Sequence, residues 1–522
     1  MSPKPLVLDG HSLTLADVEA FLDAGAGPVL LTPVARTAMA RTRAVVEAWA
    51  AEGRVVYGVT TGLGRLKDWP VSQDRQAEFQ LRILESHAVG LGLPLPPSIG
   101  RLALLLRVNV WARGHSGVRP ELADRALAFL AAGLAPVVPR LGSLGVGDLQ
   151  PLAHIGLALT GHARGRVWDG ESPASAPAVL ARHGLGPFPL AAKEALSLVA
   201  GGSVLLAGAV AAFRKGRHLL RVAEAASALT LEALRGEAQA LDPRTHAARG
   251  AAGQCAAAAR LASWVEGSQW MTDEGRARFG ESAPRVQDAV SLRAVSSVLG
   301  AVQEVLDFGR RALEAELNAS TDNPLIFADE GSGDAVLSGG NFHGALLAYS
   351  LDFLAIALAD LGALSERHSA RLLDPARSFG LPPGLAGGDP GLNTGLTLVQ
   401  AGAAALVAEL RLTASPASGG TLPAKSGQED HNSQGMTSLG KAHRALDHLE
   451  TILAVELLCA HRAVGLATPV LTPLTLGRGT SALARKLSAV VPEPGEDTYF
   501  KEELDSVVIL LQTGEEFTPP VA

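Results

Sequence analysis

The chain has 522 residues, enough for two or three domains at about 100–200 residues each. With 47% of residues hydrophobic and 19% charged, intrinsic disorder is excluded, and 45 basic against 52 acidic residues give a net charge of −7, which argues against a nucleic-acid or anionic-membrane partner. Aromatics are only 4%, so Ala, Leu, Val and Gly must fill the core, as close-packed helices allow more readily than sandwiches or barrels.

The first residues, MSPKPLVLDGHSLTLADVEAF, contain no apolar signal region and no Arg-rich transit pattern. Residues 1–205 form an expected N-terminal mixed domain, with Gly/Pro-rich stretches at Tyr57–Gly64, Leu93–Ser98 and Pro136–Gly147. The apolar run Leu198–Phe213 is short of the ~20 residues a membrane span needs and is expected to be a buried helix. Residues 206–480 read as a central bundle of long helices. In Val295–Leu317, apolar residues at 295, 298, 299, 302, 305, 306, 313 and 317 recur at helical spacing. Phe342–Leu373, Leu398–Leu412 and Gly440–Ala463 continue the pattern, separated by loops at Leu381–Gly395 and Ser415–Gly427. Residues 481–522 form a C-terminal segment. The expected fold is mainly α, a bundle of long helices that can pair across subunits of a symmetric oligomer. Cys255 and Cys459 are too few for a disulfide framework, so a reducing cytoplasm is expected.

The loop Arg140-Leu-Gly-Ser-Leu-Gly-Val-Gly-Asp148 precedes a helix expected from Pro151. No Gly-Lys-Ser/Thr follows it, so a tight turn using glycine at positive φ is favoured over a phosphate cradle. Fourteen histidines include no HExxH and no His/Cys pair at ligand spacing, so no metal is expected. A Gly-x-Ser-x-Gly elbow is absent too. What remains are polar groups in apolar or glycine-rich surroundings: Tyr57, His87, Gln287, Arg293, Asn323, Asn341 beside Phe342, and Glu429. Singly, each is more often a satisfied structural group. Together they supply a phenol base, a carboxylate-binding arginine, amide donors and a second acid or base.

From about residue 50 to 440 these segments resemble the histidine/phenylalanine ammonia-lyase family. Tyr57-Gly-Val-Thr-Thr-Gly-Leu-Gly64 is similar to its tyrosine loop, with Thr60 where Asn is usual. Leu81–Gly92, Leu106-Arg-Val-Asn109, Ser291-Leu-Arg293, Asp322-Asn-Pro324, Gly339-Gly-Asn-Phe-His343, Leu364-Ser-Glu-Arg367 and Gln428-Glu-Asp-His431 follow in the family's order. The resemblance implies a helical fold of the aspartase/fumarase type and a homotetramer acting on a small amino-acid or betaine substrate. It also implies site roles. Tyr57, Glu429 and His87 are the expected catalytic residues; Arg293, Asn323, Gln287, Phe342 and Thr397 are the expected substrate-binding ones.

The family builds an electrophilic methylidene-imidazolone from an Ala-Ser-Gly triad. Here the loop reads Gly142-Ser-Leu-Gly-Val-Gly-Asp148, one residue shorter, with Val146 where the reactive serine would stand. The family's supporting Asn and second Tyr fall at Ala200 and Val290. The expectation is therefore a lyase without a prosthetic group. It would expel trimethylamine from a histidine betaine such as ergothioneine or hercynine, giving an acrylate related to urocanate. The alternatives are elimination of ammonia from histidine or an aromatic amino acid, and a catalytically inactive relative.

Overall fold

The computed structural model describes residues 5–24, 27–281, 285–328, 333–389, 391–424, 427–513 and 517–519; parts of the expected loops Leu381–Gly395 and Ser415–Gly427, and the extreme ends of the expected N- and C-terminal segments, lie outside these. Helices dominate. Those that matter below are α1 (Pro33–Ala51), α2 (Gln76–His87), α3 (Pro97–Ala112), α4 (Leu149–Thr160), α5 (Ser203–Ala233), α6 (Val295–Leu317), α7 (Ala345–Leu373), α8 (Thr397–Thr413) and α9 (Gly435–Leu471). Local chemistry sets their ends. Thr32 Oγ1 accepts the Ala35 amide at 3.1 Å and Pro33 opens the first turn of α1. Gly161, at φ 72°, closes α4 in the left-handed region. The strands are short. β1 (Leu325–Phe327) and β2 (Ala335–Leu337) pair antiparallel with Ile326 opposite Val336.

Contacts divide the chain into two compact units. The first comprises Met1–Phe213, Gly309–Asp352 and Pro416–Gly440; the second comprises Arg214–Phe308, Phe353–Ser415 and Lys441–Ala522. The expected segments 1–205, 206–480 and 481–522 partition the sequence by texture, whereas helices α5, α6, α7 and α9 each give one part of their length to each unit.

Within the first unit α3 is buried all round, from Leu102 through Ala112, and it takes Arg107 and Asn109 inside with it. A second cluster joins Val45, Val46 and Trp49 of α1 to Val56, Val59 and Ile326. Burial of a valine contributes about 1.5–3 kcal/mol relative to exposure. Val56 and Val59 thus pin the backbone on both sides of Tyr57.

Three helical stretches, Glu194–Ala233, Ala345–Leu373 and Gly435–Leu471, are long and apolar enough to cross a membrane by length and composition, more than the run Leu198–Phe213 suggests. Their most apolar windows are 89, 61 and 78% buried inside the protein, so the fold itself accounts for their apolar faces.

Candidate active site

The tyrosine loop leaves α1 through Arg54 and is closed by its own threonines. Thr60 Oγ1 donates to the Arg54 carbonyl at 2.5 Å and accepts the Val56 amide at 2.9 Å, so threonine serves this turn. Tyr57 Oη accepts the Gly64 amide at 3.0 Å. That contact ties the phenol oxygen to the backbone of its own loop.

His87 ends α2. Its Nδ1 lies 2.8 Å from the Ile83 carbonyl, which accepts Nδ1–H in the neutral ring and leaves Nε2 as the basic nitrogen. Asn323 immediately precedes β1's hairpin. Its Oδ1 accepts the Gly339 amide at 2.9 Å, which leaves Nδ2 as a donor. Glu429 is fixed by a two-way backbone pairing with Ala424, at 2.8 and 3.3 Å.

The glycine loop forms the base. Gly142, Gly145 and Gly147 have φ of 128°, 85° and 86°. The loop's backbone is satisfied from distant segments. The Gly147 amide donates to Phe342 O at 3.1 Å, the Asp148 amide to Gly201 O at 2.7 Å, and Leu144 O accepts the Gln434 amide at 2.9 Å. Asp148 Oδ2 accepts the amides of Val204 and Leu205 at 2.9 and 2.8 Å, capping α5. Burial pushes the Asp148 carboxyl up to about 6, against the opposing pull of those amides.

A buried ionic group lies behind. Lys193 Nζ stands 3.3 Å from Asp322 Oδ2, which also accepts Ser197 Oγ at 2.6 Å. Burial alone would raise Asp322, but Lys193 and Arg107 outweigh it and hold the carboxyl below its usual range. Arg107 donates to the Ala200 carbonyl, and burial pushes its guanidinium down to about 10, so it remains charged at neutral pH. His343 pairs with Val146 through the backbone and stacks on His431, the ring centroids 5.3 Å apart. Burial, then the neighbouring His431, keeps His343 below the usual imidazole range.

These elements enclose a cavity of about 530 Å³. Tyr57, His87, Asn323, Phe342 and Glu429 all line it, five of the eight residues expected at the site. Its apolar wall is Val146, Leu149, Leu196, Val199 and Ala200. Gln287, Arg293 and Thr397 belong to the second unit, are exposed there, and do not line this cavity. Arg293 Nε donates to Asp288 O at 3.2 Å.

Sequence reasoning missed Lys67, Leu149 and Leu196 as lining residues, and the buried supporting roles of Arg107, Lys193 and Asp148. The signal was available for Arg107 and Lys193, each a cation inside an apolar run. Among the described residues no group of three or more His, Cys, Asp or Glu could hold a metal ion.

A mainly helical fold and a cavity that gathers a phenol, an imidazole, an amide and a carboxylate define the class of helical carbon–nitrogen lyases. Residues 13–489 match the aromatic amino acid lyase family, and the chain belongs to it. It is 40% identical over 506 residues, 96% of either chain, to the histidine ammonia-lyase of Geobacillus thermodenitrificans. The crystal structure of histidine ammonia-lyase from Trypanosoma cruzi superposes with a TM-score of 0.87 at 34% identity, covering 98% of this chain and 94% of that one. Ergothionase, the ergothioneine-degrading enzyme of Treponema denticola, gives 0.89 at 28% identity, covering 98 and 99%.

These relatives correct the expectation of a lyase without a prosthetic group. Extended similarity to histidine ammonia-lyases, in sequence and in structure, points to the family's methylidene-imidazolone rather than to no cofactor. The loop in hand departs from the Ala-Ser-Gly pattern. Val146 lies between Gly145 and Gly147, and the one hydroxyl, Ser143 Oγ, accepts the Gly145 amide at 3.2 Å and lies 3.2 Å from the Gly147 carbonyl. The residues present therefore do not fit the family's way of building the group. Intact mass, which falls by about two waters when such a ring forms, reads the loop's state directly.

Proposed function

We propose that the protein eliminates the amine from a histidine-type amino acid, leaving an imidazole acrylate. The observation carrying this reading is the convergence of Tyr57, His87, Asn323, Phe342 and Glu429 on one cavity. Tyr57 Oη, positioned by the Gly64 amide, removes the β-proton. Asn323 Nδ2 donates to the substrate carboxylate, Glu429 engages the ring nitrogen, and His87 Nε2 relays the proton near Tyr57. Phe342 bounds the ring.

Gln287, Arg293 and Thr397 are exposed in the single chain. We assign them to the cavity of a neighbouring subunit in a homotetramer, Arg293 gripping the carboxylate through paired hydrogen bonds, with Gln287 and Thr397 bordering the substrate. Leu346, Tyr349, Phe353 and Ile356 form an exposed apolar stripe at helical spacing on α7, which supports association. The free thiols of Cys255 and Cys459 suit a reducing compartment such as the cytoplasm.

A second reading rests on the apolar wall. A trimethylammonium group packs its methyls against such a surface, and it leaves directly as a neutral amine. The similarity to ergothionase supports this reading, and the similarity to histidine ammonia-lyases supports the first. The purified chain is offered L-histidine, its trimethyl betaine and the corresponding thione, and the acrylate and the released amine are measured. Ammonia from histidine supports the first reading. Trimethylamine from a betaine, with no product from histidine, supports the second. No acrylate from any of the three overturns both.

A further inference from the structure

A second cavity, of about 700 Å³, lies in the first unit and takes no part in the chemistry above. Its floor is the end of α1, at Ala50 and Ala51, and one wall is the face of α2 bearing Gln76, Phe79 and Arg82. The opposite wall is the tyrosine loop itself. Thr60 and Thr61 line the cavity, and they are laced to Pro70 and Val71 by a backbone bridge and by the Val71 amide donating to Thr60 O at 2.8 Å. Whatever fills this space presses on the strap that carries Tyr57.

Two features define an occupant. Gln76 is only 9% exposed, and its Oε1 is buried without a hydrogen-bond partner while its Nε2 donates to Val71 O at 3.4 Å. A buried acceptor left unpaired costs about 1–3 kcal/mol, so a ligand N–H there would recover it. Next, Arg75 and Arg82 share one carboxylate, Glu78, at 3.0 and 2.6 Å. Asp68 also lines the cavity, so the two cations there are matched by two carboxylates; Arg82 grips Glu78 through Nε and one terminal nitrogen, leaving its other terminal nitrogen outside that pair, with Phe79 and Val71 offering apolar surface beside it.

We propose that this cavity binds a small heteroaromatic monocarboxylate, its ring N–H donating to Gln76 Oε1 and its carboxylate meeting Arg82, and that occupancy immobilises the tyrosine loop. The product of the reaction proposed above has this chemistry, so the site would act as a product sensor. The sensing role rests on that reading; the binding site does not.

Equilibrium dialysis with urocanate tests it, using the full-length wild type, Arg82→Gln and Gln76→Leu. Arg82 is 67% exposed, so its replacement leaves the fold and the initial rate unchanged. The expected result is a class of sites in the wild type that weakens about tenfold in Arg82→Gln, the loss of one charge-assisted hydrogen bond. The furan analogue, lacking the N–H, should bind the wild type about tenfold more weakly than urocanate, and that difference should vanish in Gln76→Leu. Urocanate should also lower kcat in the wild type more than in Arg82→Gln. Equal stoichiometry and affinity in wild type and Arg82→Gln overturn the proposal. If no substrate turns over, the function proposed above fails, and Arg82-dependent binding still decides this one.

Discussion

Tyr57 Oη has the Gly64 amide, 3.0 Å away, as its local donor, and the loop that brings them together is closed by Thr60. Removing the hydroxyl alone leaves Val56 and Val59 buried, so Tyr57→Phe should keep its circular dichroism and melting temperature. Its turnover should fall by about 100- to 10,000-fold, the usual worth of a positioned base; near-normal turnover would require another base. Arg293→Lys should raise KM and lower kcat together, because lysine cannot reproduce the planar paired grip proposed for Arg293. Gly145 tests the loop's packing. A Cβ there would lie 2.0 Å from Ser433 Oγ, on a backbone at φ 85°. Gly145→Ala should therefore cost about 1–3 kcal/mol in urea unfolding. The glycines were legible as positive-φ positions. That Gly145 also faces Ser433 was not, because the two residues are separated by most of the chain.

At the scale of helices, α5, α7 and α9 share a buried ionic link in the second unit. His368 Nδ1 lies 2.7 Å from Glu456 Oε1 and Nε2 lies 2.9 Å from Ser291 O, while Thr230 Oγ1 donates to the same Glu456 oxygen at 3.0 Å. Both ring nitrogens face acceptors, as an imidazolium requires. Burial would lower His368, yet the Glu456 charge and hydrogen bonds outweigh it and raise the ring above its usual range. The folded state thus holds this proton more tightly than the unfolded chain. Its contribution is complete below the ordinary histidine range, near pH 6.5, and fades as pH rises through the folded value. Unfolding free energy measured from pH 6 to 9 should fall in the wild type, and this component of the fall should be missing in His368→Gln. Identical pH profiles would remove His368 from the account.

The same helices show where periodicity works. Val295–Leu317 is a helix over its full expected length. The stretch expected as Gly440–Ala463 instead runs from Gly435 to Leu471, through Gly465 and Pro469. Those two residues read as a helix end, but Val464, Ala467 and Leu471 are buried, and packing overrides the local preference.

For the whole molecule, the proposed site divides into what the first unit assembles and what it does not. Tyr57, His87, Asn323, Phe342 and Glu429 were legible because each interrupts an apolar or glycine-rich segment, and they line one cavity. Gln287 and Arg293 were legible in the same way and Thr397 by family resemblance alone, and in a single chain all three are exposed. A subunit-sharing site explains both observations and makes a prediction. Tyr57→Phe and Arg293→Ala, each inactive alone, should recover part of the wild-type rate when unfolded together and reassembled, because some mixed tetramers contain an intact site. A mixture as inactive as its parents would confine the whole site to one subunit.

The loop at 142–148 depends on Gly201, Phe342 and Gln434 for its hydrogen bonds, and the last of these is encoded nearly three hundred positions downstream. A nascent chain emerging from the ribosome therefore carries Tyr57 and the glycines early but lacks the Phe342 carbonyl and the Gln434 amide that complete the loop's bonds. The full set of bonds must arrive late in synthesis, and a fragment that stops short of Gln434 would leave the Leu144 carbonyl without that amide.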